Sequence, residues 1–155
     1  MVGGLEPVAQ PSSLIRHSKP WPVGSMYEAI TGPIRVRVTP SYVDERSAPD
    51  DGYFFWAYTV DIVNEGDGPM HLHARHWRIV DANGRIEEIR GPGVVGQTPV
   101  IEPGASFSYT SGCPLKTSSG IMSGSYQMSS SDGQLYDIVI PAFSLDSPFA
   151  VRQMN

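Results

Sequence analysis

Three sets of residues in this chain have types and spacing that could do chemistry. They are the histidines of Met70-His71-Leu72-His73-Ala74-Arg75-His76-Trp77, the glycines of Gly91-Pro92-Gly93-Val94-Val95-Gly96, and the single thiol of Cys113. If 70–80 is a regular strand, His71, His73, Arg75 and Trp77 share one face, because side chains repeat every two residues. The two imidazoles then stand about 7 Å apart, two strand rises, close enough to share a divalent ion. Arg75 lies next in that row, and a fixed cation beside a metal ion is unfavourable. Glu87 or Glu88 on a returning strand is the best third ligand, with no compelling spacing. We therefore assign no metal site and read His71 and His73 as exposed on a wet strand face; a direct divalent-metal sensor is the rival reading. His76 falls on the opposite face and is expected to make a buried or semi-buried hydrogen bond.

Gly91, Gly93 and Gly96 satisfy the G-x-G-x-x-G pattern of dinucleotide sites. The mechanism behind that pattern needs a following helix to present its N-terminus to pyrophosphate, and an acidic residue about twenty positions on. Pro99 in Gln97-Thr98-Pro99 opposes the helix, and Lys116-Thr117 supplies no carboxylate. The expected structure is a tight inter-strand loop that needs positive φ. A reduced alternative is an anion nest built from the N–H groups of Gly93 to Gly96, with Arg90 or Arg85 as counter-charge. It would serve anion or diphosphate binding, and in its strongest form a dinucleotide or diphosphate hydrolase using Glu87, Glu88 or Glu102. Val94 and Val95 are apolar for an exposed turn. Either they plug one end of the fold, or they make an apolar patch of the kind that marks interfaces.

Cys113 is followed by Pro114 in an expected turn, and a nucleophile needs a positioned base and a lowered pKa, for which Lys116 is the one basic residue beside it. The many serines form no G-x-S-x-G elbow. No catalytic residue is assigned, and no cofactor.

The elements that must position these residues are strands. Ile34, Val36 and Val38 alternate with Arg35 and Arg37, and Pro40 is expected to end that strand. Tyr42 to Gly52 reads as a polar surface loop. Phe54–Asn64 is the strongest strand signal, with Trp56, Tyr58, Val60 and Ile62 as its core face. Asn64 to Pro69 is a turn of residues that tolerate positive φ. A strand over 70–80 follows, then a two-residue hairpin at Asn83-Gly84 and a return over 85–90. Further strands are expected at 107–111, 125–129 and 135–140, with turns at Glu102-Pro103-Gly104 and Asp132-Gly133. Seven or eight short strands at this spacing predict an all-β sandwich of the immunoglobulin or fibronectin type III kind, with Trp77 in its core.

A length of 155 residues fits one domain. Residues 1–24 read as a Pro-rich arm, 25–148 as the sandwich and 149–155 as a tail. A net charge of −5 argues against nucleic acid, which normally needs a basic patch. No apolar run is long enough for membrane insertion. One cysteine permits no internal disulfide, so the expected location is cytoplasmic.

The order of Tyr27-Glu28-Ala29, Asn64-Glu65-Gly66, Arg75-His76-Trp77, Gly93-Val94-Val95-Gly96, Tyr109-Thr110-Ser111-Gly112 and Ile140-Pro141-Ala142-Phe143 resembles the bacterial ApaG family over about residues 26–148. The resemblance implies a fibronectin type III-like sandwich and a link to cobalt and magnesium homeostasis. It also implies a gene neighbourhood shared with a dinucleoside-tetraphosphate hydrolase, and partner binding where the domain is fused to F-box modules. Two departures stand out. His71 and His73 replace apolar or small polar residues, and Gln97-Thr98-Pro99 stands where Glu-Gln-Pro is usual.

These readings converge on a non-catalytic binding module that recognises an unidentified protein partner, with homodimerisation left open. The expected binding residues are Arg75, Arg90, Gly91, Gly93, Val94, Val95 and Gly96. Arg75 and Arg90 would supply a polar rim.

Overall fold

Among the described residues the chain forms nine strands, most of them alternating apolar and polar residues: β1 Tyr27–Thr31, β2 Ile34–Tyr42, β3 Phe54–Asn64, β4 Met70–Asp81, β5 Ile86–Pro92, β6 Val100–Ile101, β7 Ser106–Leu115, β8 Ser119–Ser130 and β9 Leu135–Asp146. The computed structural model describes residues 25–150, so the expected arm at 1–24 and residues 151–155 of the expected tail lie outside the described residues. Two antiparallel sheets, ordered β1-β2-β3-β7 and β5-β4-β8-β9, face each other, and β6 pairs with β4. The chain is the all-β sandwich that the strand periodicity predicts.

The core lies between the inner faces. Ile34, Val36, Val38, Val60 and Ile62 are wholly buried, and Trp56 and Tyr58 nearly so. The even face of β3 is therefore the core face, as expected. Trp77 packs between Tyr58 and Phe143, at centroid separations of 5.2 and 6.1 Å. One side of the sandwich is closed, where the Val139 amide of β9 donates to Thr31 Oγ1 of β1. The other side is open between β5 and β7.

Several local expectations are corrected. Pro40 does not end β2, which continues to Tyr42. Pairing with β1 stops at Val38, so beyond it β2 is an edge strand, where proline is tolerated. Cys113 and Pro114 lie inside β7 and not in a turn, again on an edge strand. The Tyr42–Gly52 segment contains two 3-10 turns, Asp44–Arg46 and Pro49–Asp51. Asn83-Gly84 is not a two-residue hairpin: Asp81 Oδ1 accepts from the amides of Asn83 and Arg85, and strand pairing resumes only at Val80–Ile86. A carboxylate that captures nearby amides competes with the ladder. At the turn after β3, Gly66 does not use positive φ; an added Cβ would lie 2.6 Å from Pro33 Cβ, so its role is close approach.

The largest correction concerns β4. Its register against β8 shifts between Leu72 and Ala74, a β-bulge. Before it Met70 and Leu72 face the core; after it Trp77 and Ile79 do. One extra residue exchanges the faces. His71 and His73 thus point outward while Trp77 points inward, so they do not share a face.

Candidate functional site

The glycine loop is a braced hairpin. Gly93, at φ +61°, donates its amide to His73 O at 2.8 Å, and a Cβ there would lie 2.3 Å from Gln97 O. Val94 and Gln97 exchange two backbone bonds of 2.8 Å. Between them Val95 and Gly96 have φ +41° and +80°, the double positive φ of a type I′ turn. Val95 is the one non-glycine residue with positive φ among the described residues. A left-handed L-residue costs roughly 1–2 kcal/mol, and for a β-branched one it is a genuine outlier. Val94 is wholly buried in the core, whereas Val95 is half-buried at the tip and packs against the core's edge. Val94 thus plugs the sandwich end, and Val95 lies at its margin with part of its side chain exposed.

Arg75 fastens this loop from below. Its Nη1 donates to Pro92 O and Gly93 O, both at 3.0 Å. A Cβ on Gly91 would meet the guanidinium at 3.1–3.3 Å, so glycine leaves the room that Arg75 occupies. Three tyrosines stand near it. Burial raises the pKa of Tyr58, Tyr109 and Tyr126, and the charge of Arg75 opposes that rise in each. The Tyr109 and Tyr126 hydroxyls are 2.5 Å apart.

Arg90 is not brought to this cluster. Its exposed guanidinium donates to Glu88 Oε1 at 3.2 Å, and the same oxygen is 2.8 Å from His76 Nε2. His76 makes the hydrogen bond expected of it, and that bond, ahead of the charges of His76 and Arg90, holds the Glu88 carboxyl below its ordinary value. The structure thus gathers Arg75, Gly91, Gly93, Val94, Val95 and Gly96, and pairs Arg90 elsewhere.

The chemistry open to this arrangement is narrow. The amides of Gly93, Val94 and Gln97 already donate to backbone carbonyls, which leaves little of an anion nest. Among the described residues no group of three or more His, Cys, Asp or Glu side chains is arranged to hold a metal ion. Burial, assisted by the nearby Glu87 charge, pushes the Cys113 thiol up to about 12, the reverse of an activated nucleophile. No helix of the described residues is long and apolar enough to cross a membrane.

Sequence reasoning missed a cleft of about 460 Å³ between the open edges β5 and β7, lined by Tyr53, Ile79, Ile86, Glu87, Pro114 and Lys116 among others. Ile86 beside it is 51% exposed. Its signal is topological: it depends on which edge strands stay unpaired, and that is not written in local periodicity.

The described residues thus form a two-sheet sandwich, one end of which carries a clamped hairpin with a left-handed valine. The chain belongs to the ApaG family. The model of the ApaG domain matches residues 44–130. Protein ApaG of Beijerinckia indica is 53% identical over 130 residues, 84% of this chain and 100% of that protein. Protein ApaG of Methylorubrum extorquens is 56% identical over the same share of each chain. A crystal structure of the proposed ApaA protein from Bordetella pertussis superposes with a TM-score of 0.73 at 45% identity, covering 75% of this chain and 94% of that one.

Proposed function

We propose that this protein is a non-catalytic recognition module that binds a protein partner through the tip of the 91–97 hairpin. The observation that carries this reading is Val95. A β-branched residue held at φ +41° persists only where its surroundings over-determine it, and such outliers cluster at binding sites. The Arg75 clamp, the Gly93 close approach and the buried Val94 are those surroundings. Asn or Gly would relieve the strain at Val95, so an apolar side chain there answers to something other than the turn.

The strand order supports a fibronectin type III-like assignment, and the single buried thiol supports a cytoplasmic location. The link to cobalt and magnesium homeostasis is then an output of the partner complex. The anion or diphosphate alternative has less support, because the loop amides and Arg75 are already committed to carbonyls.

The test is crosslinked capture from the host organism by the wild type and by Val95→Asp, with melting temperatures measured for both. Val95→Asp is expected to lose the specific partners while its Tm moves by only a few degrees. Capture of the same partners by the variant sinks the reading, and unfolding of the variant assigns Val95 to the core.

A further inference from the structure

The bulge in β4 removes the objection that the regular strand raised against His71 and His73. Arg75 is on the other face, with its guanidinium on the loop carbonyls. Across the strands His71 is flanked by Val100 of β6 and Ser129 of β8, neither of them charged. The two imidazole centroids are 4.2 Å apart, and His73 is exposed. Two ring nitrogens at about 2.0–2.1 Å from one metal ion sit roughly 3 Å apart when they bind side by side, and rings this close reach that separation by small side-chain rotations. His73 Nε2 is 2.7 Å from Ser129 Oγ. With Nε2–H donating to that hydroxyl, the lone pair lies on Nδ1, and a second partner of this kind orients a ligating histidine.

We propose that His71 and His73 form a two-imidazole chelate for a borderline divalent transition-metal ion, with Ser129 as the positioning residue and water completing the coordination. Imidazole donors favour Ni2+ or Zn2+ and not Mg2+, which demands oxygen ligands. The site goes beyond the recognition reading and rests on different residues, so either can fail without the other.

The experiment is calorimetric titration of the full chain with Ni2+, and separately with Mg2+. One-to-one saturable Ni2+ binding is expected, with no heat from Mg2+. His71→Ala and His73→Ala should each weaken Ni2+ binding about tenfold or more, since either leaves a single imidazole. A His17→Ala, His76→Ala variant should bind as the wild type does. In proton NMR of the wild type, paramagnetic Ni2+ should broaden the ring signals of His71 and His73 before those of His76. Absence of saturable Ni2+ binding, its retention in the His71→Ala, His73→Ala double variant, or its loss in the His17→Ala, His76→Ala variant would each overturn the proposal.

Discussion

Gly93 and Gly96 separate two reasons for which a turn requires glycine. Both have left-handed backbone, at φ +61° and +80°. A Cβ on Gly96 meets nothing within 4 Å, whereas one on Gly93 lies 2.3 Å from Gln97 O and 3.0 Å from Gln97 C. Gly96→Ala should therefore cost only the conformational term, about 1 kcal/mol. Gly93→Ala pays the same term and also forces the Gln97 peptide away, which breaks the two Val94–Gln97 bonds at roughly 0.5–1.5 kcal/mol each. The expected total is about 2–4 kcal/mol. Urea melts at unchanged slope report the difference directly as a midpoint shift. Amide exchange at Val94 and Gln97 should speed up in the Gly93 variant and much less in the Gly96 variant. Equal losses of about 1 kcal/mol in both would refute the close-approach argument and show the loop to be free to move.

Three further outcomes follow from the geometry. Tyr109→Phe should cost about 1–3 kcal/mol in thermal melts, because it leaves the Tyr126 hydroxyl buried without its partner; Tyr109→Phe with Tyr126→Phe should cost less than the sum of the single changes. The thiol of Cys113, 3% exposed and pushed up to about 12, should resist a disulfide reagent at pH 8 until the protein unfolds, so labelling at a rate set by reagent concentration would contradict the buried placement. Hydrogen bonds from Arg35 hold the carboxyls of Glu28 and Glu65 below their ordinary value of 4.5. A depressed folded pKa gives stability that is present above the unfolded value and lost as pH falls through the folded one. Arg35→Met should therefore flatten the fall in midpoint below pH 4.5, and an unchanged acid limb would show that these surface pairs contribute nothing.

Most of the sandwich was legible because its strands obey period two. Phe54–Asn64 has the bounds that its pattern implies, and turns stand at Gly104 and Gly133 as expected, both glycines at positive φ. What was missed has physical causes. β1 is five residues with no wholly buried position, and β6 is two residues. β8 begins six residues earlier than its pattern shows, because Gly120 and Gly124 carry no side chain to alternate. Both glycines are there for close approach: a Cβ on Gly124 would lie 2.1 Å from His76 O, and one on Gly120 2.9 Å from Val80 O. At the site, the glycines of the loop were legible and its clamp was not, since a regular strand places Arg75 in one row with the outward-facing His71 and His73.

That misreading and the loop's rigidity have one origin. A regular strand from 70 to 81 that kept Met70 and Leu72 in the core would turn Trp77 and Ile79 out to solvent, exposing two large apolar side chains at roughly 1.5–3 kcal/mol each. The bulge between Leu72 and Ala74 avoids that loss and keeps both ends of β4 on the core. The same change of parity carries Arg75 beneath Gly91, where it reaches the Pro92 and Gly93 carbonyls. It also leaves His71 and His73 on the outside, free of that cation. At the bulge itself the His73 carbonyl accepts the Gly93 amide, so the irregular backbone of β4 is one of the loop's own supports. Core burial in β4 thus decides where the hairpin is held and which side chains remain beside it, and a change that straightened the strand would disturb both together.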